Sequence, residues 1–318
     1  MVDNPLAPNV DGPVLVIGGA GVDIVGKLRA DLRMESSTPA LIRSSFGGVA
    51  RNVAENLARL GEDVNLISVV GEDESGDRLL QELSEAGVSI EAVLRTSKYP
   101  TGAYLGVVNA AGVLQFALDD MRQIGAITPA YIRQFEDLFR QASVLFIDAN
   151  LSKEVLRTVM SLARRFNIPV CADPTSSALA GRFKIYLSRL FLITPNGAEA
   201  SIYCDPGLKI NNRHQALEAA KHLVSQGVEI AIITLAEQGL CYATSETNGY
   251  IPAIRTDIID PTGAGDALSA AVIFALLNDI PLDDAVRLGV SAASLTLRYR
   301  GAVVPDLSLE KLYDQLVI

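Results

Sequence analysis

The chain of 318 residues has room for one large α/β domain or two smaller units, and with 49% hydrophobic and 20% charged residues it should fold around a substantial core rather than stay disordered. A formal net charge of −10 argues against a nucleic-acid polymer as partner, since displacing counterions from phosphates needs a cationic surface; an anion would have to be bound locally, by backbone amides and a metal ion. Three dispersed cysteines (Cys171, Cys204, Cys241), two histidines on a predicted surface helix (His214, His222), no charged and apolar leader in Met1 to Asp11 and no apolar run near about 20 residues point away from disulfides, histidine chemistry, secretion and membranes, toward a cytoplasmic protein.

A first strand is predicted at Val14–Ile17. The following Gly19-Ala-Gly-Val-Asp-Ile24 begins like a dinucleotide fingerprint, but Ile24 stands where the third glycine is required, and Gly21 to Leu28 nearly spells a Walker A loop, but Leu28 replaces its Ser or Thr. Asp23 is either a ligand-binding carboxylate at a sheet edge or a turn residue. Residues 26–46 break the α/β rhythm and read as extra β structure. A helix then opens at the diglycine Gly47-Gly48, with Val49, Val53, Leu57 and Leu60 as an apolar stripe and Asn52 and Asn56 on another face. Alone, such a helix start is only a turn.

Further strands are expected at Val64–Val70, Val144–Ile147, Val170–Ala172, Leu190–Ile193 and Ile230–Thr234, and amphipathic helices at Ser75 to Ala86 and around Val155 to Ala163. This alternation predicts a parallel sheet covered by helices. Residues 97–118 form the second irregular segment, with a strand from Thr101 to Asn109 and a turn at Ala110–Gly112. Two β segments inserted among helices are best placed in a small separate sheet, a lid. Asp148 and Asp173 each end a strand and share the ambiguity of Asp23. In Thr194-Pro-Asn-Gly-Ala-Glu199, Asn196 and Glu199 could organise the waters of Mg²⁺ or form a capping box. The last motif, Asp260-Pro-Thr-Gly-Ala-Gly-Asp266, runs into an apolar helix whose buried face is marked by Leu268, Ala271, Val272, Ala275 and Leu276. The amides of Gly263, Ala264 and Gly265 could cradle an anion there, and Asp266 could take a proton from an attacking hydroxyl; spacing alone equally allows a helix-capping aspartate.

Gly47-Gly-Val-Ala-Arg-Asn-Val-Ala54 and Asp260-Pro-Thr-Gly-Ala-Gly-Asp266, in this order, resemble the two signatures of the ribokinase-like PfkB carbohydrate kinases, and Asn196-Gly-Ala-Glu199 is similar to that family's NxxE element. The resemblance covers nearly the whole chain and implies a single kinase domain over 1–318, a three-layer α/β/α fold with a mostly parallel sheet, and a β lid at about 26–46 and 97–118 that also serves as a homodimer contact. It implies an ATP-dependent kinase of a small sugar or nucleoside, with Asp266 as base and Gly263, Ala264 and Gly265 as the anion hole. Asp23, Gly47, Gly48 and Asn52 would hold the acceptor, Asn196, Thr234 and Gly239 the nucleotide, Glu199 Mg²⁺ through water, and Asp260 and Thr262 a K⁺ ion. Ala236 stands where the family's nucleotide-binding turn commonly has glycine.

Within the family, the Gly-Gly-Val-Ala-Arg-Asn segment, Leu118-Asp-Asp-Met121, Asp148-Ala-Asn-Leu151 and Ala172-Asp-Pro-Thr-Ser176 look most like pseudouridine kinases, while Gly21 replaces a usual asparagine and Leu179 a usual lysine. The resemblance implies a pseudouridine acceptor phosphorylated at a primary hydroxyl, with ribokinase or another sugar or nucleoside kinase as alternative. A nucleoside-binding sensor without catalysis is the alternative of another class.

Overall fold

The computed structural model describes residues 12–111, 113–204 and 208–316; Met1 to Asp11, and Gly112 of the predicted Ala110–Gly112 turn, lie outside the described residues. In chain order the first elements are β1 (Val14–Ile17), β2 (Gly21–Leu28), β3 (Ala40–Gly47), α1 (Val49–Leu60), β4 (Val64–Gly71), α2 (Glu74–Glu85), β5 (Val88–Ser89), β6 (Val93–Thr96), β7 (Gly102–Val108) and β8 (Leu114–Asp120). There follow α3 (Pro129–Gln134), α4 (Glu136–Gln141), β9 (Val144–Asp148), α5 (Lys153–Phe166), β10 (Val170–Asp173), β11 (Leu192–Ile193) and α6 (Gly197–Tyr203). The chain ends with α7 (Arg213–Ser225), β12 (Ile230–Thr234), β13 (Leu240–Ala243), β14 (Asn248–Ile251), α8 (Ala264–Leu277), α9 (Leu282–Leu297) and α10 (Leu309–Leu316).

The main sheet runs β14-β13-β12-β11-β10-β9-β1-β4-β5, with β6 also paired to β4. Pairing is parallel from β12 to β5 and antiparallel only at the β13 and β14 edge. Strands buried on both faces explain the continuous apolar runs. Along β1, Val14 and Val16 enter a core shared with α1, α8 and α9, while Leu15 and Ile17 enter a second core with Phe139, Val155 and Ala219. The result is the predicted three-layer α/β/α arrangement.

The two irregular segments become one four-stranded sheet, β3-β2-β7-β8, separate from the main sheet. The first pair spans Gly21 to Gly47, wider than the expected 26–46, and the second spans Gly102 to Asp120, starting and ending later than the expected 97–118; Gly21 and Gly102 pair as neighbours, and a Cβ on Gly21 would lie 2.5 Å from the Gly102 carbonyl oxygen. That close approach accounts for glycine at position 21. Alternation sorts the faces. Asp23, Ser45, Tyr104 and Asp119 share one cross-strand row, and Ile24, Ser44, Leu105 and Leu118 share the next, on the opposite face. Because Gly19 to Ile24 passes into strand and not helix, neither a dinucleotide fingerprint nor a Walker A loop is formed.

β1 and β2 are joined to α1 through Gly48. This residue has φ 98° and ψ 128°, and a Cβ there would lie 2.5 Å from the Gly19 carbonyl oxygen, which itself accepts the Arg51 amide at 3.1 Å. Gly48→Ala should therefore lower stability by about 1–3 kcal/mol through backbone strain and crowding together, measurable as a reduced urea midpoint with an unchanged slope.

Candidate active site

The entry to α8 separates the roles of its two glycines. Gly263 is the N-cap in left-handed conformation (φ 78°), and a Cβ there would meet the Ala302 carbonyl oxygen at 2.2 Å, so glycine is needed for the fold. Around Gly265 a Cβ would meet nothing within 4 Å, so no packing within the protein explains glycine there. It leaves open space beside the first-turn amides, where a phosphate could approach the helix N-terminus. Asp266 follows in that first turn and does not cap the helix. Beyond it, every residue from Ala267 to Leu277 is buried, not only the predicted stripe.

Asp266 is held from α1. Asn52 Nδ2 donates to Asp266 Oδ2 at 2.7 Å, joining the two signature motifs across 214 residues of sequence. The face of α1 carrying Asn52 and Asn56 is also buried, packed toward α8, together with Arg51 and Glu55. Asp23 is neither a turn residue nor at the main sheet's edge; it lies within β2, opposite Ser45 and Tyr104. A Cβ on Gly47 would fall 2.0 Å from Asp23 Oδ2, so that glycine makes room for the carboxylate.

The carboxyl ends of β9 and β10 bring in Asp148 and Asp173, which are register partners. Asp148 Oδ2 accepts the amides of Gly19 (2.7 Å) and Ala50 (3.2 Å), and Oδ1 accepts that of Asn150 (2.9 Å), tying the β1–β2 turn, α1 and β9 together. Asp173 Oδ1 accepts the Thr175 amide at 2.7 Å. Asn196 and Glu199 do form the capping box of α6: Asn196 Oδ1 accepts two amides, and Glu199 Oε2 accepts the Asn196 amide at 2.9 Å. Thr234 is bridged to Asn196 as a parallel neighbour, its amide donating to the Pro195 carbonyl at 3.0 Å. Gly239 (φ 85°) ends the adjoining turn, in which Ala236 takes φ 49°, the left-handed conformation that makes glycine common at that position. Asp260 Oδ1 accepts the Thr262 amide at 3.0 Å, and the Asp260 amide donates to the Leu297 carbonyl at 3.2 Å, fixing the loop on the end of α9.

Convergence of so many carboxylates has a cost. Burial pushes Asp266 up to about 7, against the Asn52 hydrogen bond and with help from the charges of Asp23, Asp148 and Glu199. Burial likewise raises Asp23 to about 6, opposed by Arg51 and reinforced by Asp260. Asp173 is raised well above the carboxylate range by burial and by the charges of Asp266 and Glu199. Glu199 is raised by burial against the hydrogen bonds from Asn196. Among the described residues, no group of three or more His, Cys, Asp or Glu could hold a metal by itself. Mg²⁺ keeps several waters and is usually held by one or two carboxylates together with substrate phosphates, a part that Glu199 could take.

The sequence profile of the pfkB family carbohydrate kinases matches residues 13–308. The chain belongs to this family. It is 30% identical over 297 residues to the pseudouridine kinase of Escherichia coli (strain K12), covering 93% of this chain and 94% of that one. It is 29% identical to the guanosine-inosine kinase of Exiguobacterium acetylicum, covering 92% of this chain and 97% of that one. Arabidopsis thaliana ribokinase complexed with ribose and ATP superposes with a TM-score of 0.84 at 20% identity, covering 96% of this chain and 99% of that chain, a likeness of fold. The protein is thus an ATP-dependent carbohydrate or nucleoside kinase with a ribokinase-like fold.

Around the site of this kinase stand Met121 and Asn150, which the sequence offered only within longer stretches, and Arg182, which it did not mark at all. A Cβ on Gly19 would lie 2.9 Å from Asn150 Nδ2 and 3.1 Å from Met121 Cε, so both side chains border the β1–β2 turn. Arg182 donates to the carbonyls of Ala149, Asn150 and Leu151, placing a cation beside Asn150 three residues after the unusual Leu179. For Asn150 the local signal is a polar residue just beyond the end of β9; Met121 and Arg182 carry none of that kind.

The raised carboxylates give a signed prediction for the ligand-free protein. A carboxyl group whose pKa is raised on folding stabilises the fold at pH below its unfolded value of 3.8, and this contribution is lost as pH rises through about 6 for Asp23 and about 7 for Asp266. Asp266→Asn should therefore raise the thermal midpoint at pH 8 by about 2–6 °C, with the gain shrinking as pH falls through 7 and vanishing only below the unfolded value of 3.8. A lower midpoint at pH 8 would mean that the carboxylate is stabilised in place.

Proposed function

We propose that this kinase transfers the γ-phosphoryl group of ATP to the 5′-hydroxyl of pseudouridine, forming pseudouridine 5′-phosphate. The observation carrying the transfer chemistry is the Asp266 carboxylate, oriented by Asn52 at the start of a helix whose next amides open onto unfilled space at Gly265. In this reading Asp266 accepts the hydroxyl proton as that oxygen attacks, and a carboxylate near neutral pKa is suited to both taking and releasing it. The amides of Gly263, Ala264 and Gly265 receive charge on the transferring group. Mg²⁺ bound with ATP would neutralise charge on the phosphates, held through water by Glu199 beside Asn196. Thr234 and Gly239 border the nucleotide, and Asp260 and Thr262 would hold K⁺ behind the anion hole.

Acceptor binding falls to Asp23, Gly47, Gly48 and Asn52, with the small sheet closing over them as a lid. Closure keeps water from competing for the phosphoryl group. The pseudouridine assignment rests on the similarity to the Escherichia coli enzyme and on the Met121 and Asn150 stretches, which border the turn beside the acceptor residues. The face of the small sheet opposite Asp23 is apolar, with Ile42 74% and Leu118 63% exposed, and we infer that a second copy of the chain covers it. Sedimentation should show a dimer that Ile42→Asp with Leu118→Asp converts to monomer.

ATP consumption measured with pseudouridine, guanosine, uridine, ribose and fructose 6-phosphate tests the acceptor. Selective turnover of pseudouridine is expected, and selective turnover of another acceptor would discard that assignment while keeping the kinase. Asp266→Asn should lose about 10²- to 10⁴-fold in kcat with nearly unchanged KM values. Gly265→Ala should keep the native thermal midpoint, because no protein atom is crowded, yet lose turnover.

A further inference from the structure

Arg51 is an unusual residue to find in the interior of α1. It is 4% exposed, and its Nε is buried without a hydrogen-bond partner. Its Nη1 donates to Asn52 Oδ1 at 3.1 Å and to the Phe46 carbonyl at 3.3 Å. Its Nη2 pairs with Glu55 one turn along and lies 3.7 Å from Glu82 of α2. If Arg51 served only to neutralise Glu55, a lysine would suffice and no contact with Asn52 would be needed. Instead the guanidinium fork spans three acceptors at once, one of them the amide that touches Asp266.

A guanidinium donates only, whereas a primary amide has a donor end and an acceptor end of nearly equal size. With Arg51 on one side and the Asp266 carboxylate on the other, a single orientation of the Asn52 amide satisfies both neighbours: oxygen toward Arg51, nitrogen toward Asp266. The flipped amide would set donor against donor and oxygen against carboxylate, leaving buried groups unpaired on both sides.

We propose that Arg51 is a positioning residue for phosphoryl transfer, locking the Asn52 amide so that its nitrogen holds the Asp266 carboxylate in place. This rests on the reading of Asp266 as the base. The Phe46 carbonyl contact extends the lock to the end of β3, so the guanidinium also fixes where the small sheet joins α1. The charged groups around it are Glu55 and Arg59 on α1, Glu82 on α2 and Asp23 on β2. Asp266 is faced by Asp23, Asp148, Asp173 and Glu199.

Arg51→Lys separates positioning from folding, because an ammonium can still neutralise Glu55 but cannot bridge Glu55, Asn52 and Phe46 together. It should lower kcat by about tenfold while the KM for MgATP stays within about twofold. Glu55→Gln, which breaks the same ion pair without touching Asn52, should lower the thermal midpoint more and kcat less. In the Asn52→Leu background Arg51→Lys should add less than about twofold, because the amide through which it acts is gone. An unchanged kcat in Arg51→Lys, or losses that multiply in the double variant, would overturn the proposal. Side-chain amide NMR gives a readout independent of turnover. The Asn52 NH₂ resonances should be shifted by Asp266→Asn and broadened by Arg51→Lys. If they ignore Arg51, the lock is wrong; if they depend on it while no acceptor is phosphorylated, the lock stands and the assignment of Asp266 as base fails.

Discussion

Five carboxylates, those of Asp23, Asp148, Asp173, Glu199 and Asp266, are brought within electrostatic reach of one another in a chain that already carries a net charge of −10. Left unsupported, such groups would protonate or drive the site open. What holds four of them is a set of donors supplied by different elements: the amides of Gly19, Ala50 and Asn150 for Asp148, that of Thr175 for Asp173, that of Asn196 for Glu199, and the Asn52 side chain for Asp266, while the charge of Arg51 favours the ionised form of Asp23. Each donor comes from a turn or helix start that exists only when the main sheet is assembled. The acidity of the site and the order of its loops are therefore one property.

The support is uneven, and the unevenness has a chemical meaning. Asp148 has three amide donors and no role in the proposed transfer; it behaves as a structural knot among β1, β9 and α1. Asp266 has one donor and a pKa near 7, so its proton is easily exchanged. A base that must gain and lose a proton each turnover cannot be saturated with hydrogen bonds to its ionised form, because each such bond lowers its basicity.

Periodicity and glycine placement were enough to read the α/β alternation, the small sheet and both motif helices, since strands buried on two faces and apolar helical stripes leave strong local patterns. What periodicity could not show was burial of the polar face of α1. Asn52, Asn56, Arg51 and Glu55 are polar in sequence yet buried, because α8 brings Asp266 to Asn52 across 214 residues and α2 brings Glu82 to Arg51. Asn196 and Glu199 show the opposite limit: the capping box and a ligand-binding role need the same residues, and the box is present without excluding the other. Asp23 was misplaced because a strand beginning at Gly21 reads as a turn unless its partner Gly102 is known.

Acceptor choice was the least legible feature, for a geometric reason. In the proposed reading the transfer machinery comes from two contiguous motifs, each about seven residues long, in which close backbone approach fixes Gly48 and Gly263. The residues proposed to border the acceptor come one or two at a time from separate segments: Asp23 from β2, Met121 from the end of β8, Asn150 from beyond β9, and Arg182, which holds the Asn150 loop. Nothing in local sequence couples these positions: Met121 and Asn150 meet beside Gly19, Asp23 beside Gly47, and Arg182 on the Ala149 to Leu151 carbonyls. Such a division lets the acceptor side change without disturbing the carboxylates below it, as expected of a fold on which function resides in a grafted site. It follows that a substitution at Met121 or Asn150 should alter acceptor preference while leaving the Asn52 to Asp266 contact intact.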